Sequence, residues 1–273
     1  MDLIKNITSL VEKWYEVQNA SEEIRLTWEY NMLTALFPLR NNQIGETLYD
    51  IITTMRLCDN QFMLNPRDVI EMDKFKQQSF NTFIEFFTRE LTAEAYTTIK
   101  ESSANEIMVL QNESYIESFG NINTMSTILS LKKSPEDVVS AFKNFDIDLT
   151  GYKYLNTKLL LTFYHRIHSP IKGQVMRMIP ISKELDIFGD NSLWILDIYS
   201  EKCGHLYLLL VGESQIQDFN FKVNVGDYVD IFDELGNFNW GSQTIILYDG
   251  EKIPQDLTLS LGYRYFVGDK LFE

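Results

Sequence analysis

The chain has 273 residues, 45% of them hydrophobic, which is enough for a sizeable core and excludes a wholly disordered protein. Acidic residues outnumber basic ones by 39 to 24, and the net charge of −15 argues against a general nucleic-acid binder, which needs a basic face. The sequence has no apolar window long enough to span a membrane and no signal-peptide pattern, so we expect a soluble, cytoplasmic protein.

The first third of the sequence predicts helices. Apolar residues from Leu3 to Trp14 repeat at spacings of three and four, which places them on one helix face. Ser21, followed by two glutamates, is typical of a helix start, and so is Asn65, followed by a proline. In residues 80–91 (FNTFIEFFTREL), phenylalanines form an apolar stripe that predicts a helix packed on the core.

The second half of the sequence predicts strands. Ser134, followed by a proline and two acidic residues, indicates one more helix, which reaches about Phe142. Residues 206–212 (LYLLLVG) are typical of a buried strand, and residues 219–225 alternate apolar with polar side chains. We therefore predict an α+β fold, with an N-terminal helical part packed on a C-terminal β-rich core. Turns between strands are predicted at Gly226-Asp227, Gly236-Asn237 and Asp249-Gly250.

Two of the three histidines, His165 and His168, lie in the segment YHRIHSP. Imidazole is the side chain best suited to proton transfer near neutral pH. The preceding apolar run LLLTF and the following Pro170 indicate a strand that leads into a turn, where the two rings could have different roles. For each histidine taken alone, a structural role with satisfied hydrogen bonds is the more common interpretation.

A second candidate site is the pair Gly241-Ser242, which we place at a tight turn between apolar stretches. The pair does not form a Gly-x-Ser-x-Gly nucleophile elbow. The sequence has no glycine-rich nucleotide-binding loop and no paired histidine and carboxylate spacing, so we predict neither a nucleotide site nor a metal site. The two cysteines, Cys58 and Cys203, are too few for a disulfide framework and are expected to be reduced.

Four segments occur in the order seen in the phosphatidylserine decarboxylase family. Residues 83–91 (FIEFFTREL) resemble its F-x-x-F-F-x-R-x-L segment, and residues 164–173 (YHRIHSPIKG) resemble its Y-H-R-x-H-x-P-x-x-G motif. FGDNSLW with the later LYLLLVGES is similar to its N-E-R stretch and apolar strand, and residues 225–248 are similar to its G-x-E-x-G-x-F-x-x-G-S-T segment. The resemblance assigns residues 75–273 to a domain of this type, preceded by a helical region at residues 1–74.

The resemblance implies an enzyme that makes its own pyruvoyl cofactor. In the family, the serine of the Gly-Ser pair attacks the preceding carbonyl, and elimination splits the chain, here between Gly241 and Ser242. Ser242 would become the pyruvoyl group, which forms a Schiff base with the substrate amine and takes up the electrons left by CO₂. By position, His168 matches the histidine that works with the serine in self-cleavage. His165 matches the histidine assigned to decarboxylation.

The sequence departs from the family near this centre. The family's P-A-D-G-x-I motif carries an aspartate that orients the histidine, as in a triad. Its best match is residues 117–122 (ESFGNI), which puts Phe119 at the aspartate position. Glu117 lies two residues earlier and reaches the site only if the backbone bends. Leu193 replaces the arginine of N-E-R, and Gln243 stands where the family has threonine.

Three functions follow from the resemblance and its departures. The first is a decarboxylase that converts phosphatidylserine to phosphatidylethanolamine and makes peripheral contact with a membrane, through residues 83–91 or the N-terminal amphipathic helix. The second is the same chemistry on a soluble amino acid, which the acidic composition favours. The third is an uncleaved, non-catalytic homologue, which Phe119 favours.

Overall fold

The computed structural model describes residues 3–67, 69–122, 142–181, 193–212 and 219–272. The helix predicted to start at Ser134 and most of the FGDNSLW segment lie outside the described residues.

Three helices form the N-terminal part: α1 (Leu3–Val17), α2 (Glu22–Leu36) and α3 (Thr47–Asn60). The predicted helix over Leu3 to Trp14 and the helix start after Ser21 are confirmed. Apolar side chains hold the helices together, since the rings of Trp14 and Trp28 lie 4.7 Å apart and both are buried. A short 3₁₀ turn, Phe37–Leu39, follows α2.

Two shorter helices lead into the β-rich part: α4 (Phe83–Phe87) and α5 (Ala93–Ser103). The helix predicted over residues 80–91 was therefore too long. The observed α4 begins at a capping box, in which the Thr82 side chain accepts from the Glu85 amide and the Glu85 side chain accepts from the Thr82 amide. The phenylalanines at 83, 86 and 87 are buried in the core.

The helix start predicted at Asn65 was wrong. The Asn65 side chain instead pairs with the backbone of Arg264: it accepts from the amide at 2.6 Å and donates to the carbonyl at 2.9 Å. An asparagine that caps a helix in one context thus pairs here with a distant segment, and the next helical turn is the 3₁₀ segment Met72–Lys74.

A large antiparallel sheet forms the centre of the β-rich part. Its strands are β1 (Ser114–Asn121), β2 (Tyr152–Lys158), β4 (Gly173–Ile181), β5 (Leu193–Ser200), β6 (Gly204–Gly212), β8 (Tyr228–Val229), β10 (Gly241–Asp249) and β11 (Arg264–Tyr265). They lie in the order β11-β1-β2-β10-β6-β5-β4-β8. The strand β10, which begins at Gly241, therefore lies inside this sheet, between β2 and β6.

A second sheet of three strands has the order β3-β9-β7. Its strands are β3 (Arg166–His168), β7 (Phe219–Phe221) and β9 (Glu234–Phe238). The turn predicted at Gly236-Asn237 was wrong, because both residues lie inside β9 and pair with β3. The run LLLTF is not a strand either, since it forms a turn and an irregular stretch between β2 and β3.

Alternating side chains of β10 enter two different cores. Ile246 and Tyr248 belong to the main core, which also contains α1–α4 and Leu235 of β9. Ile245 and Leu247 belong to a second core on the opposite face of the sheet. The α+β class is confirmed, with N-terminal helices and the small sheet packed in the main core.

Most of the described apolar face of each helix offered for membrane contact is packed in the core, although Ile4 of α1 is 40% exposed. Ile7 and Trp14 of α1 and Phe83, Phe86 and Phe87 of α4 are all buried. Within the described parts of the chain, every helix is too short or too polar to cross a bilayer.

Gly236 is a close-packed position that fixes the small sheet. A Cβ atom there would meet the Asn220 carbonyl oxygen and the Phe219 ring, whereas a Cβ at Gly226 meets nothing within 4 Å. We expect Gly236→Ala to lower the free energy of unfolding by roughly 1–3 kcal/mol, as overpacking does. Gly226→Ala, which has only its positive φ to accommodate, should cost about 1 kcal/mol. Urea unfolding compares the two, and equal losses would contradict the prediction.

Candidate active site

The pairing of β3 with β9 positions the histidine motif. Ile167 lies opposite Gly236 and His168 opposite Glu234. The Phe238 amide donates to the His165 carbonyl at 3.1 Å. His165 therefore lies beside the end of β9, and His168 lies beside the start of β9. The last residue of β9, Phe238, is three residues before Gly241, where β10 begins.

His165 is completely buried, with one ring nitrogen unpaired. Its Nδ1 donates to the Phe163 carbonyl at 2.8 Å, and its buried Nε2 has no hydrogen-bond partner among the described residues. The ring stacks on Phe87 at 3.5 Å, and Phe87 stacks on Trp240 at 5.6 Å, directly before Gly241. Burial, reinforced by the nearby Arg89, holds the pKa of His165 well below its usual value, so the ring is neutral.

His168 is also completely buried, and both of its nitrogens are paired. Its Nδ1 donates to the Phe232 carbonyl at 2.9 Å, so its Nε2 accepts from the Tyr164 hydroxyl at 3.0 Å. The ring stacks on Phe232 at 4.3 Å. Burial lowers the pKa of His168 to about 4, so the imidazole is neutral at pH 7.

Gly241 and Ser242 are the first two residues of β10, and the tight turn predicted at this pair falls just before them. Gly241 lies opposite Gly212 and Gln243 opposite Val211, so Ser242 is the extra residue of a β-bulge. Bulges interrupt the strand ladder and are frequent beside active sites.

A buried polar segment, residues 111–114, connects the histidine motif to β10. Its four residues are at most 1% exposed. The Gln111 carbonyl accepts from the His168 amide at 2.8 Å. The Gln111 side chain donates to the hydroxyls of Thr157 and Thr244. His168 is thus tied to a residue two positions after Ser242.

Glu113, in this segment, is a fully buried carboxylate in direct contact with the histidine motif, whereas Glu90 and Glu234 contact the motif through Arg166. Its Oε2 accepts from the Tyr164 amide at 2.8 Å, and its carboxylate pairs with Arg264 and lies 4.0 Å from Arg89. Glu113 was not among the residues predicted from the sequence. The signal was available: a run of four polar residues between the apolar residues 107–110 and Ile116.

The two residues weighed for the family aspartate lie on β1. Phe119 is opposite Leu155 and packs, half-buried, against the main core. Glu117 is the extra residue of a bulge in β1, so the backbone does bend there. Its carboxylate accepts from Asn156 at 3.1 Å and lies 3.5 Å from the amide nitrogen of Gln243, next to Ser242. Burial raises the pKa of Glu117.

His205, the third histidine, lies apart from this site in β6. Its Nδ1 is 2.8 Å from the buried carboxylate of Asp197 in β5, which also accepts from Arg177. The structure therefore connects His165 to Trp240 through the Phe87 ring, and His168 to Thr244 through Gln111, on either side of Gly241 and Ser242.

The family follows from comparison with known sequences. Residues 83–273 match the sequence profile of phosphatidylserine decarboxylase. This match covers more than half of the chain, and the chain belongs to the phosphatidylserine decarboxylase family.

Three relatives illustrate the similarity. Phosphatidylserine decarboxylase proenzyme 2 of Oryza sativa subsp. japonica is 26% identical over 211 residues, covering 71% of this chain and 34% of that protein. Proenzyme 2 of Saccharomyces cerevisiae is 25% identical over 197 residues, covering 65% of this chain and 17% of that protein. The proenzyme of Francisella tularensis subsp. mediasiatica is 26% identical over 239 residues, covering 73% and 78%. The chain thus spans about a third of the rice protein's length and most of the bacterial one's.

The lowered pKa of His168 makes stability depend on pH. Between the usual histidine pKa of 6.5 and the lowered pKa of about 4, the unfolded chain binds a proton at His168 that the folded chain does not. The free energy of unfolding should therefore fall as pH drops through this window, by on the order of 3 kcal/mol from His168.

The test is urea unfolding at pH 7 and pH 5 for the wild type and His168→Asn. Asp59, whose pKa is raised to about 7 by burial, contributes with the opposite sign, because its folded form holds a proton that the unfolded form loses. Comparing the two proteins cancels that contribution. The variant should lose less stability on acidification, and an equal loss would contradict the prediction.

Proposed function

We propose that this chain is a self-processing, pyruvoyl-dependent decarboxylase that acts on phosphatidylserine. Family membership supports the reaction class. The observation that carries the proposal is the pairing of β3, which bears the histidine motif, with β9, which leads directly into Gly241 and Ser242. Through this pairing, the Phe238 amide, three residues before Gly241, donates to the His165 carbonyl, and His168 lies beside the start of the same strand.

The proposed maturation breaks one peptide bond. The Ser242 hydroxyl attacks the Gly241 carbonyl carbon and gives up its proton, while the Ser242 nitrogen takes one up, which converts the amide to an ester. Removal of the Ser242 Cα proton then expels the Gly241 carboxylate and leaves a dehydroalanine at residue 242. Hydrolysis of that group releases ammonia and yields the pyruvoyl, which supplies an electron sink for decarboxylation.

We assign His168 to self-cleavage and His165 to decarboxylation, as the resemblance implies. The unpaired Nε2 of His165 is compatible with a role that begins when substrate arrives. The His168 Nε2 already accepts from the Tyr164 hydroxyl. A proton from Ser242 therefore reaches His168 either through the Tyr164 hydroxyl or after that hydroxyl turns away.

We propose Glu113, instead of a residue at position 119, as the carboxylate that supports the motif. The family's P-A-D-G-x-I pattern also fits residues 111–116, with Glu113 at the aspartate, Ser114 at the glycine and Ile116 retained. Glu113 holds the Tyr164 amide, whereas Phe119 packs against the core. In this alignment, the carboxylate is present and the chain keeps the family's catalytic set.

Cleavage is the first prediction. Wild-type protein should yield a fragment of residues 242–273, and Ser242→Ala should yield none, because no hydroxyl remains to attack Gly241. The intact mass of the purified protein measures this, with Ser260→Ala, in the same fragment and exposed, as the control. Wild-type protein that stays whole for days at neutral pH would leave only the uncleaved homologue.

The substrate is tested on the matured protein. We expect CO₂ release from phosphatidylserine vesicles and none from free serine. The alternative is a soluble amino-acid substrate, which the net charge of −15 favours because it disfavours docking on an anionic bilayer. CO₂ release from free serine and none from the vesicles would establish that alternative.

The two histidines should separate cleavage from turnover. His168→Ala should slow or abolish the appearance of the fragment, and His165→Ala should leave it largely intact while lowering CO₂ release by about 100-fold or more. Tyr164→Phe decides the route of the proton, since it slows cleavage if the hydroxyl relays the proton and speeds cleavage if the hydroxyl blocks Nε2. Fragment yield and CO₂ release falling in parallel for both histidine variants would refute the assignment.

The carboxylate has its own pair of variants. Glu113→Gln removes the charge and keeps the shape, and we expect cleavage to slow by about 10-fold or more. Phe119→Asp should not speed cleavage, because residue 119 packs on the core. If position 119 instead corresponds to the family's aspartate, the Phe119→Asp variant should cleave faster than the wild type. Fragment yield over time distinguishes the two alignments.

A further inference from the structure

A cavity of about 230 Å³ lies between α3 and the residues that precede and form α4. Its walls are mainly apolar, with Ile52, Ile70, Met72, Phe80 and Phe86 among them. Exposed apolar side chains lie along it as well: Leu57 is 38% and Val69 is 72% exposed. A cavity that is apolar inside and opens between apolar side chains suits a hydrocarbon chain.

Arg56 is the charged residue among the described residues that line this cavity, and it is 3% exposed. Its hydrogen bonds are long, at 3.4 Å to the Thr162 hydroxyl and 3.5 Å to the Val69 carbonyl, and its Nε has no partner. Within the described ranges, no carboxylate lies within the 4 Å of an ion pair with it. A buried guanidinium is normally paired, because an uncompensated charge in the interior is costly.

The surrounding buried groups do not supply the missing charge. Among the described residues, the buried charges around Arg56 are those of Arg89, Arg264, Asp59 and Glu113, and a further buried acid, Glu29, acts on Asp59. Glu113 is engaged by the other two arginines. Asp59 accepts twice from Thr162, at 2.9 and 2.5 Å, and burial raises its pKa to about 7, so it is partly neutral at physiological pH. Among the described residues, neither acid therefore gives Arg56 an ion pair.

We propose that this cavity binds a fatty carboxylate, with the alkyl chain along the apolar walls and the carboxylate oxygens accepting hydrogen bonds from Arg56. Both requirements of the site are met by this class: a small hydrophilic anion leaves the apolar walls unfilled, and a neutral alkane or alcohol leaves the guanidinium unpaired. The proposal does not depend on self-cleavage, since every lining residue lies between positions 49 and 86.

Charge selectivity is the decisive measurement. Calorimetric titration of the full chain with decanoate, decanol and decyltrimethylammonium, each kept below its micellar concentration, compares three head groups on one tail. Decanoate should bind at least about tenfold more tightly than decanol, as expected for a charged hydrogen-bonding pair, and the cation should bind most weakly. Equal affinities for decanoate and decanol would overturn the proposal.

Two sets of variants locate the site. Arg56→Met keeps side-chain length and should abolish the preference for decanoate over decanol. Val69→Asp, at an exposed position, places a negative charge beside the cavity and should weaken decanoate binding about tenfold without needing any change in the core. Val225→Asp is the matched control, since Val225 is 59% exposed and does not line the cavity. Decanoate binding unchanged in Val69→Asp, or weakened equally in Val225→Asp, would overturn the proposal even if Arg56→Met fails to fold.

Discussion

The hydrogen-bonded pairing of a three-residue strand, β3, with β9 is the constraint on which the site depends. β3 alone is too short to persist, and it is held by β9 on one side and by the Gln111 carbonyl on the other. Because β9 is followed almost at once by β10, the same pairing sets where Gly241 and Ser242 lie. Backbone pairing thus positions the histidine motif relative to the segment that leads into β10.

Burial then determines the protonation of the site. Both histidines are completely buried and neutral, each with Nδ1 donating to a backbone carbonyl, so each presents an unprotonated Nε2. Two buried arginines, Arg89 and Arg166, lie beside the histidines, and a guanidinium suits such a position because it keeps its charge and spreads its donors over several carbonyls. Arg89, for example, donates to the carbonyls of Phe86, Thr162 and Phe163.

Much of the fold, and part of the site, could be predicted from the sequence. Short-range signals worked where local structure decides the outcome: α1, the start of α2, and the buried strand β6. They failed where a distant partner decides. Asn65 looks like a helix cap but pairs with Arg264, and Gly236-Asn237 looks like a turn but lies in a strand.

The order of motifs indicated the family, whereas Glu113 and the two bulges escaped notice for a physical reason. A bulge is a mismatch of register between two strands, so neither sequence contains it alone. A buried carboxylate likewise looks like a surface residue until its partners, Arg264 and the Tyr164 amide, are folded against it.

The central place of β10 has a consequence for how the molecule would lose and regain its structure. The segment that begins at Ser242 supplies an interior strand, the edge strand β11, and the arginine that pairs with Glu113. While the chain is continuous, folding is unimolecular. A chain opened at this point becomes two polypeptides whose association is bimolecular. Its melting temperature would therefore rise with protein concentration, and refolding would fail when the protein is dilute. Such a protein would be stable while folded, but after complete unfolding it would not recover its structure at low protein concentration.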